Sequence, residues 1–230
     1  MSVSIWYAQP SKQCEPGLVR RHRELLCEGE RARAERFRLE EDRHTFIVAH
    51  ALVRLALSSK RSDVDPAAWR FAPNAFGRPE IAHPPSRCRF SLSHTSGVAA
   101  CAVTDDCDIG VDVEKIGAAA PLEIARQHFS SEEAEELAAL PERMRTERFF
   151  AYWTLKESYV KARGLGLRIP LDQFRFRVGT GAPITVSFDV GCEDDPGAWH
   201  FWSHRLLGTH CLALAVRRQG ARPSAEWREL

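Results

Sequence analysis

Two acids stand two residues apart in the alternating run Ile109-Gly-Val-Asp-Val-Glu114. In a strand, Ile109, Val111 and Val113 face one way. Asp112 and Glu114 face the other, their Cα atoms roughly 6.5 Å apart. Such a pair suits a hard divalent cation, although acids on the solvated face of a half-buried strand give the same pattern. A second constellation lies in Phe149–Arg163, where Phe149, Trp153 and Val160 recur at helical spacing and Tyr152, Leu155 and Tyr159 widen the apolar arc. Lys156 falls inside that arc. Glu157 and Lys161, four apart, flank it and can face each other. Charges beside a core-facing surface need a polar partner, structural or ligand, because burying an unpaired charge is costly.

The elements that must position these residues can be read in order. Ser2–Ala8 alternates like an opening strand. A helical pattern rich in Arg and Glu runs from about Leu18 to Arg38, and a second from about Glu41 to Leu57. Trp69–Phe71 reads as a short strand, followed by the turn-rich loop Pro73-Asn-Ala-Phe-Gly-Arg-Pro79. Arg89–Ser93, Val98–Thr104 and Ile109–Glu114 then read as a meander with turns at 94–97 and 105–108. In that geometry Ser93, His94 and Glu114 gather at one sheet edge, with Asp112 one step in. A lone His after a strand is ordinarily a structural residue; two acids beside it make a ligand role worth testing.

Gly117–Pro121 is a small-residue linker and the expected lobe boundary, dividing the chain into 1–116 and 117–230. Ser130, with Glu133 three residues on, opens a helix as a capping box. Pro141 ends that helix, and Gly164-Leu-Gly166 ends the next. Short strands follow to Val216, and the polar tail after Arg217 reads as loose. Phe90–His94 with Cys101–Val103 is echoed by Phe201–His204 with Cys211–Val216, which points to two similar α+β lobes with a cleft between them.

Composition narrows the function classes. The 230 residues suffice for one large domain or two small ones, and 44% hydrophobic with 27% charged residues is ordinary for a globular chain. Thirty-two basic against 31 acidic residues leave a net charge of +1, so nothing in bulk charge favours nucleic acid or membrane, and any anion site must be local. The opening residues have neither a basic leader nor an apolar run of signal length, and no stretch reaches membrane-span length. Seven cysteines without a C-x-x-C pair read as reduced packing residues of a cytoplasmic protein. Arg31, Arg33, Arg36 and Arg38 are interleaved with Glu, as on a solvated helix face. Arg78 beside Gly77 is more pointed, since glycine lets the backbone approach a ligand closely.

Taken together, Phe90-Ser-Leu-Ser-His94, Ile109-Gly-Val-Asp-Val-Glu-Lys115 and Trp153-Thr-Leu-Lys-Glu-Ser158 with Lys161 resemble the signature of the 4′-phosphopantetheinyl transferases. The likeness is to the larger, surfactin-synthetase-activating (Sfp) type and extends from the first helix through about Phe176. It implies an α+β fold of two similar lobes related by a pseudo-twofold, each a small, mainly antiparallel sheet with packed helices. It also implies transfer of the phosphopantetheine arm of coenzyme A onto a serine of an apo acyl or peptidyl carrier protein, with release of adenosine 3′,5′-bisphosphate. Asp112, Glu114 and Glu157 would hold Mg²⁺ on the coenzyme A diphosphate. Glu157, directly or through water, would accept the serine proton, with Lys161 stabilising diphosphate charge or sharing the base role.

By the same resemblance Ser93 and His94 would contact coenzyme A phosphates, and Arg33, His44 and Arg78 the 3′-phosphate and adenine, with Gly77 and Pro79 framing the base. Lys156 would be structural, bridging to the other lobe. The family often has a basic residue where Glu30 stands, and Arg31 is the available substitute. The carrier would dock beside 164–195. Because the family forms its cleft within one chain, a monomer is expected. A catalytically idle coenzyme A-binding module would be free to lose the third acid, yet Glu157 and Lys161 are both present. A nucleic-acid-binding role lacks an aromatic and basic motif.

Overall fold

The computed structural model describes residues 2–179, 181–192 and 194–230. Thr180 and Glu193, within the stretch expected to dock a carrier, lie outside the described residues. Strand β1 (Ser2–Ala8) is followed by α1 (Pro16–Leu25), α2 (Glu28–Ala34) and the long α3 (Glu40–Lys60). The expected single helix over 18–38 is thus two. It breaks at Leu26–Cys27, where Glu30 reaches back to the Cys27 N–H at 2.9 Å and starts a new helix. The hairpin β2 (Arg70–Pro73) and β3 (Pro79–His83) precedes a second hairpin, β4 (Arg89–Thr95) and β5 (Val98–Thr104). Thr95 pairs with Val98 across a two-residue turn, so β4 runs through His94, which had been expected to turn.

The order then repeats. Strand β6 (Ile109–Lys115) is followed by α4 (Leu122–His128), α5 (Ser131–Ala139) and the long α6 (Glu142–Arg163). The hairpins β7 (Phe174–Arg177)–β8 (Thr185–Phe188) and β9 (Trp199–Leu206)–β10 (His210–Arg217) complete the second set. The echo seen in sequence is this repeat: β4–β5 and β9–β10 are equivalent hairpins in two similar lobes. The two larger sheets have the orders β11-β1-β5-β4 and β6-β10-β9, and the hairpins β2-β3 and β7-β8 form two-stranded sheets of their own.

Two expectations are corrected by the pairing. Strand β6 hydrogen-bonds to β10, Asp112 opposite Ala213, and not to β5 as a meander would require. Residues 117–121 therefore follow a strand that already belongs to the second sheet. The tail is not loose either: β11 (Ser224–Glu229) runs parallel to β1 and completes the first sheet, with Trp227 opposite Ile5. Its Ala225 and Trp227 pack on the core between the sheets, which offsets the ordering of the flanking polar residues.

Helix α3 covers one sheet and α6 the other, while Val3, Ile5, Val98, Ala100, Val111, Leu212 and Leu214 fill the space between the sheets. Small residues sit under the helices, Ala99 and Cys101 in β5 and Ala213 and Ala215 in β10, and let them lie close. The repeat extends to a buried charge. In the second lobe the capping-box Glu133 pairs with Lys156 at 2.7 Å, and Lys156, fully buried, donates to the Leu171 and Phe174 carbonyls. In the first, the capping-box Glu30 pairs with fully buried Arg54 at 2.6 Å, and Arg54 reaches the Trp69 carbonyl. Lys156 is therefore structural as expected, but its partners lie in its own lobe and not across the cleft. The reason is its direction: Lys156 leaves α6 toward α5, one position round from Glu157.

Glu30 carries a testable pH signature. Burial alone would raise its pKa, but the His50 hydrogen bond, the Arg54 charge and the Cys27 N–H lower it to about 2. Its folded value lies below the unfolded one, so the stabilisation is present above the ordinary glutamate range and is lost as pH falls toward about 2. Urea unfolding should show the stability gap between wild type and Glu30→Gln narrowing by on the order of 3 kcal/mol between about pH 6 and about pH 2. A gap independent of pH would refute the buried pair.

Candidate active site

The geometry of the site begins with Gly110. It shares a face of β6 with Asp112 and Glu114, and that face lies against α6. A Cβ on Gly110 would stand 1.9 Å from the Ser158 carbonyl oxygen and 2.5 Å from the Ala162 nitrogen. Only glycine lets helix and strand backbones meet this closely, and the contact sets Lys161 directly over Asp112. An isolated glycine inside an alternating strand was the available signal for this approach. The carboxylate face of β6 is thus covered by a helix, and Asp112 is only 3% exposed.

Asp112 Oδ1 accepts from Lys161 Nζ at 2.6 Å and from Ser93 Oγ at 2.8 Å. Lys161 Nζ also donates to Ser93 Oγ at 2.9 Å. Asp112 Oδ2 is buried with no hydrogen-bond partner among the described residues. The two serines of Phe90-Ser-Leu-Ser-His94 join the lobes, because Ser91 Oγ accepts the Val111 N–H at 3.0 Å and Ser93 Oγ the Val113 N–H at 3.3 Å. Their hydroxyls satisfy backbone donors on the edge of β6 that no strand pairs, so β4 and β6 run side by side from different sheets.

Glu114 accepts from Thr95 Oγ1 at 3.4 Å, a partner that sequence reasoning did not name. Burial raises the Glu114 pKa, and the Asp112 and Glu157 charges add to the rise. Burial likewise raises Glu157, with Asp112 reinforcing it and Lys161 opposing. The three acids therefore share one electrostatic neighbourhood. Among the described residues, no three His, Cys, Asp or Glu side chains are grouped to hold a metal ion.

His94 projects from β4 and is exposed. Loss of water against its neighbours holds its pKa below the usual histidine value, followed by the His50, Lys161 and Arg33 charges. Arg33, which stacks its guanidinium 5.3 Å over Phe46, is thus close enough to act on His94. Arg31 is engaged elsewhere, donating to the Leu26 carbonyl at 2.6 Å, and Glu30 is committed to Arg54 and His50. The Leu26 carbonyl is a neutral acceptor, so Arg31 keeps its positive charge, whereas Glu30 is taken up by the buried pair.

The loop of Gly77, Arg78 and Pro79 crosses to α6. Gly77 adopts φ +87°, and Asn74 Oδ1 accepts the Phe76 and Arg78 N–H groups, shaping the turn. Arg78 donates to the Ala162 carbonyl at 2.8 Å and Asn74 to the Gly164 carbonyl at 3.1 Å, so both cap the C-terminus of α6 from the opposite lobe. Asn74 carried no prediction; its place in a turn-rich loop was the only signal. Arg78, Pro79, Phe90, Leu92, Glu157 and Lys161 line one crevice of about 240 Å³ between the lobes. His44 is not in it. Its Nε2 donates to the Pro10 carbonyl at 2.9 Å, and it lines a separate cleft of about 540 Å³ with Cys14, Arg23, Arg43 and Gly97.

Residues 108–215 match the family model of the 4′-phosphopantetheinyl transferase superfamily. A 4′-phosphopantetheinyl transferase of Bacillus subtilis is 33% identical over 163 residues, covering 71% of this chain and 71% of the relative. The 4′-phosphopantetheinyl transferase Sfp of Bacillus subtilis (strain 168) is 33% identical over 156 residues, 68% of each chain. A solved holo-(acyl-carrier-protein) synthase from Bacillus anthracis str. Ames in complex with CoA overlaps with a TM-score of 0.41 at 15% identity, covering 49% of this chain and 96% of that one. The chain belongs to the 4′-phosphopantetheinyl transferase superfamily. Within it, the similarity to the Sfp-type transferases of Bacillus spans most of both chains.

Proposed function

We propose that this chain transfers the phosphopantetheine arm of coenzyme A to a serine hydroxyl of an apo acyl or peptidyl carrier protein, releasing adenosine 3′,5′-bisphosphate. One observation carries the reading: Glu157 and Lys161 line an interlobe crevice, and behind Lys161 lies the buried Asp112, one of whose carboxylate oxygens has no hydrogen-bond partner among the described residues. A buried carboxylate oxygen without a donor is a costly arrangement that a cation relieves. Asp112, Glu114 and Glu157 are the residues that would hold Mg²⁺; they form no closed three-acid cage, and that ion needs none, since one or two carboxylates together with substrate phosphate oxygens ordinarily suffice. When bound there, the cation neutralises diphosphate charge and stabilises the leaving phosphate.

The side chains themselves do the rest. Lys161, partly exposed at the crevice, offers an ammonium to the diphosphate. Glu157, its pKa raised by burial and by Asp112, is a better proton acceptor than an ordinary glutamate and is suited to take the carrier serine proton. Ser93, His94 and Arg33 supply donors and positive charge for the phosphates. Arg78 and Pro79 wall the crevice, and Gly77 turns the chain beside it. His44, on a separate cleft, has the least support among the coenzyme A contacts. No described helix is long and apolar enough to cross a membrane. A monomeric, cytoplasmic enzyme that binds neither nucleic acid nor membrane and docks its carrier beside 164–195 completes the proposal.

Incubation with coenzyme A, Mg²⁺ and apo carrier domains tests it. Mass spectrometry should show each accepted carrier gaining one phosphopantetheine. No gain on any of a panel of acyl and peptidyl carriers would reject the activity.

A further inference from the structure

We propose that Lys161 is the resident counter-ion of Asp112, and that a divalent cation takes this carboxylate only as an incoming diphosphate draws the ammonium away, so that metal and coenzyme A load as a coupled pair. The inference rests on the transferase reading and concerns how its site is filled. Asp112 is almost fully enclosed, and a buried carboxylate requires a compensating charge. Lys161 supplies it through a 2.6 Å contact to Oδ1, steadied by Ser93 Oγ, which donates to the same oxygen and accepts from the same ammonium. The ammonium therefore occupies one of the two oxygens a cation would use. Two positive groups on one buried carboxylate repel each other strongly where water screens little.

Lys161 is also able to leave. Its side chain is 30% exposed, opens on the interlobe crevice and is long enough to swing toward an anion there. Glu157, one helical turn before it, lines the same crevice, so an anion entering there meets the Lys161 ammonium beside that carboxylate. A diphosphate offers the ammonium a new partner. Asp112 and the acids around it then need the divalent charge.

Thermodynamic linkage makes the consequence measurable: if coenzyme A tightens the metal by a given factor, the metal tightens coenzyme A by the same factor. Free Mn²⁺ followed by electron paramagnetic resonance, with and without coenzyme A, reads this without turnover. Wild type should bind Mn²⁺ weakly alone and about 5- to 150-fold more tightly with coenzyme A. Lys161→Met should bind Mn²⁺ alone more tightly than wild type and lose most of the coupling, while Lys161→Arg, which keeps the charge, should retain weak binding alone. Equal Mn²⁺ affinity with and without coenzyme A in wild type, or no tightening in Lys161→Met, overturns the exchange. If wild type modifies a carrier but fails this comparison, only the exchange is lost. If it binds no coenzyme A at all, the transferase reading fails with it.

Discussion

Asp112→Asn is expected to lower kcat by at least about 10²- to 10³-fold, the loss seen when one preorganised charge partner is removed from a transition state. The substitution keeps the shape of the side chain and its place beside Ser93. It removes the charge that Lys161 neutralises at 2.6 Å and the only one of the three acids that is almost wholly buried. The fold should survive, because Lys161 is partly exposed and can solvate its ammonium. A second readout separates a local charge effect from general damage. Asp112 contributes to the raised pKa of both Glu114 and Glu157, so both should titrate lower in the variant. Carboxyl carbon shifts followed by NMR against pH would show this. Wild-type turnover, or unchanged Glu157 titration, would remove Asp112 from the site.

Gly110→Val is expected to cost the fold at least about 5 kcal/mol, in the range reserved for a named steric catastrophe. The atoms that a Cβ would strike at 1.9 and 2.5 Å belong to the α6 backbone, so no rotamer change relieves the overlap. Relief requires lifting α6 from β6, which opens the core and carries Lys161 and Glu157 away from Asp112. For a chain of this size the loss amounts to a fall in Tm of roughly 10–20 °C. Calorimetry checks it, and a Tm within about 2 °C of wild type would refute the close approach. Gly110→Ala should lie between the two, with turnover falling more steeply than stability because the site depends on sub-ångström placement.

The two predictions concern different links in one chain of causes. Gly110 acts on packing and Asp112 on charge, but the charge is useful only where the packing puts it. The paired capping-box glutamates show the same division. Glu30 and Glu133 each hold a short helix to a long one through a buried cation, and neither takes part in the proposed chemistry.

Much of this was legible from local pattern. Alternation alone placed Asp112 and Glu114 on one face of a strand, and the helical period placed Glu157 and Lys161 four apart on one side of α6. The Ser130 cap and the left-handed Gly164 stop, at φ +66°, follow from chemistry within a few residues of each position. What could not be read there is which distant segments meet. Strand β6 could pair with β5, its neighbour in sequence, or with β10 about a hundred residues on, and its alternation is the same in either sheet. The polar tail likewise shows nothing of its parallel partner β1, because the register is decided by Trp227 and Ala225 finding the core between the sheets. Lys156 and Lys161 look alike in sequence, yet one is sealed against Glu133 and the other stands over Asp112 at the crevice. Periodicity and capping are set by nearest neighbours and so belong to the sequence. Partnership between remote carboxylates, ammonium groups and strand edges is set by which packing buries the most apolar surface while leaving the fewest charges alone, and only the folded chain decides that.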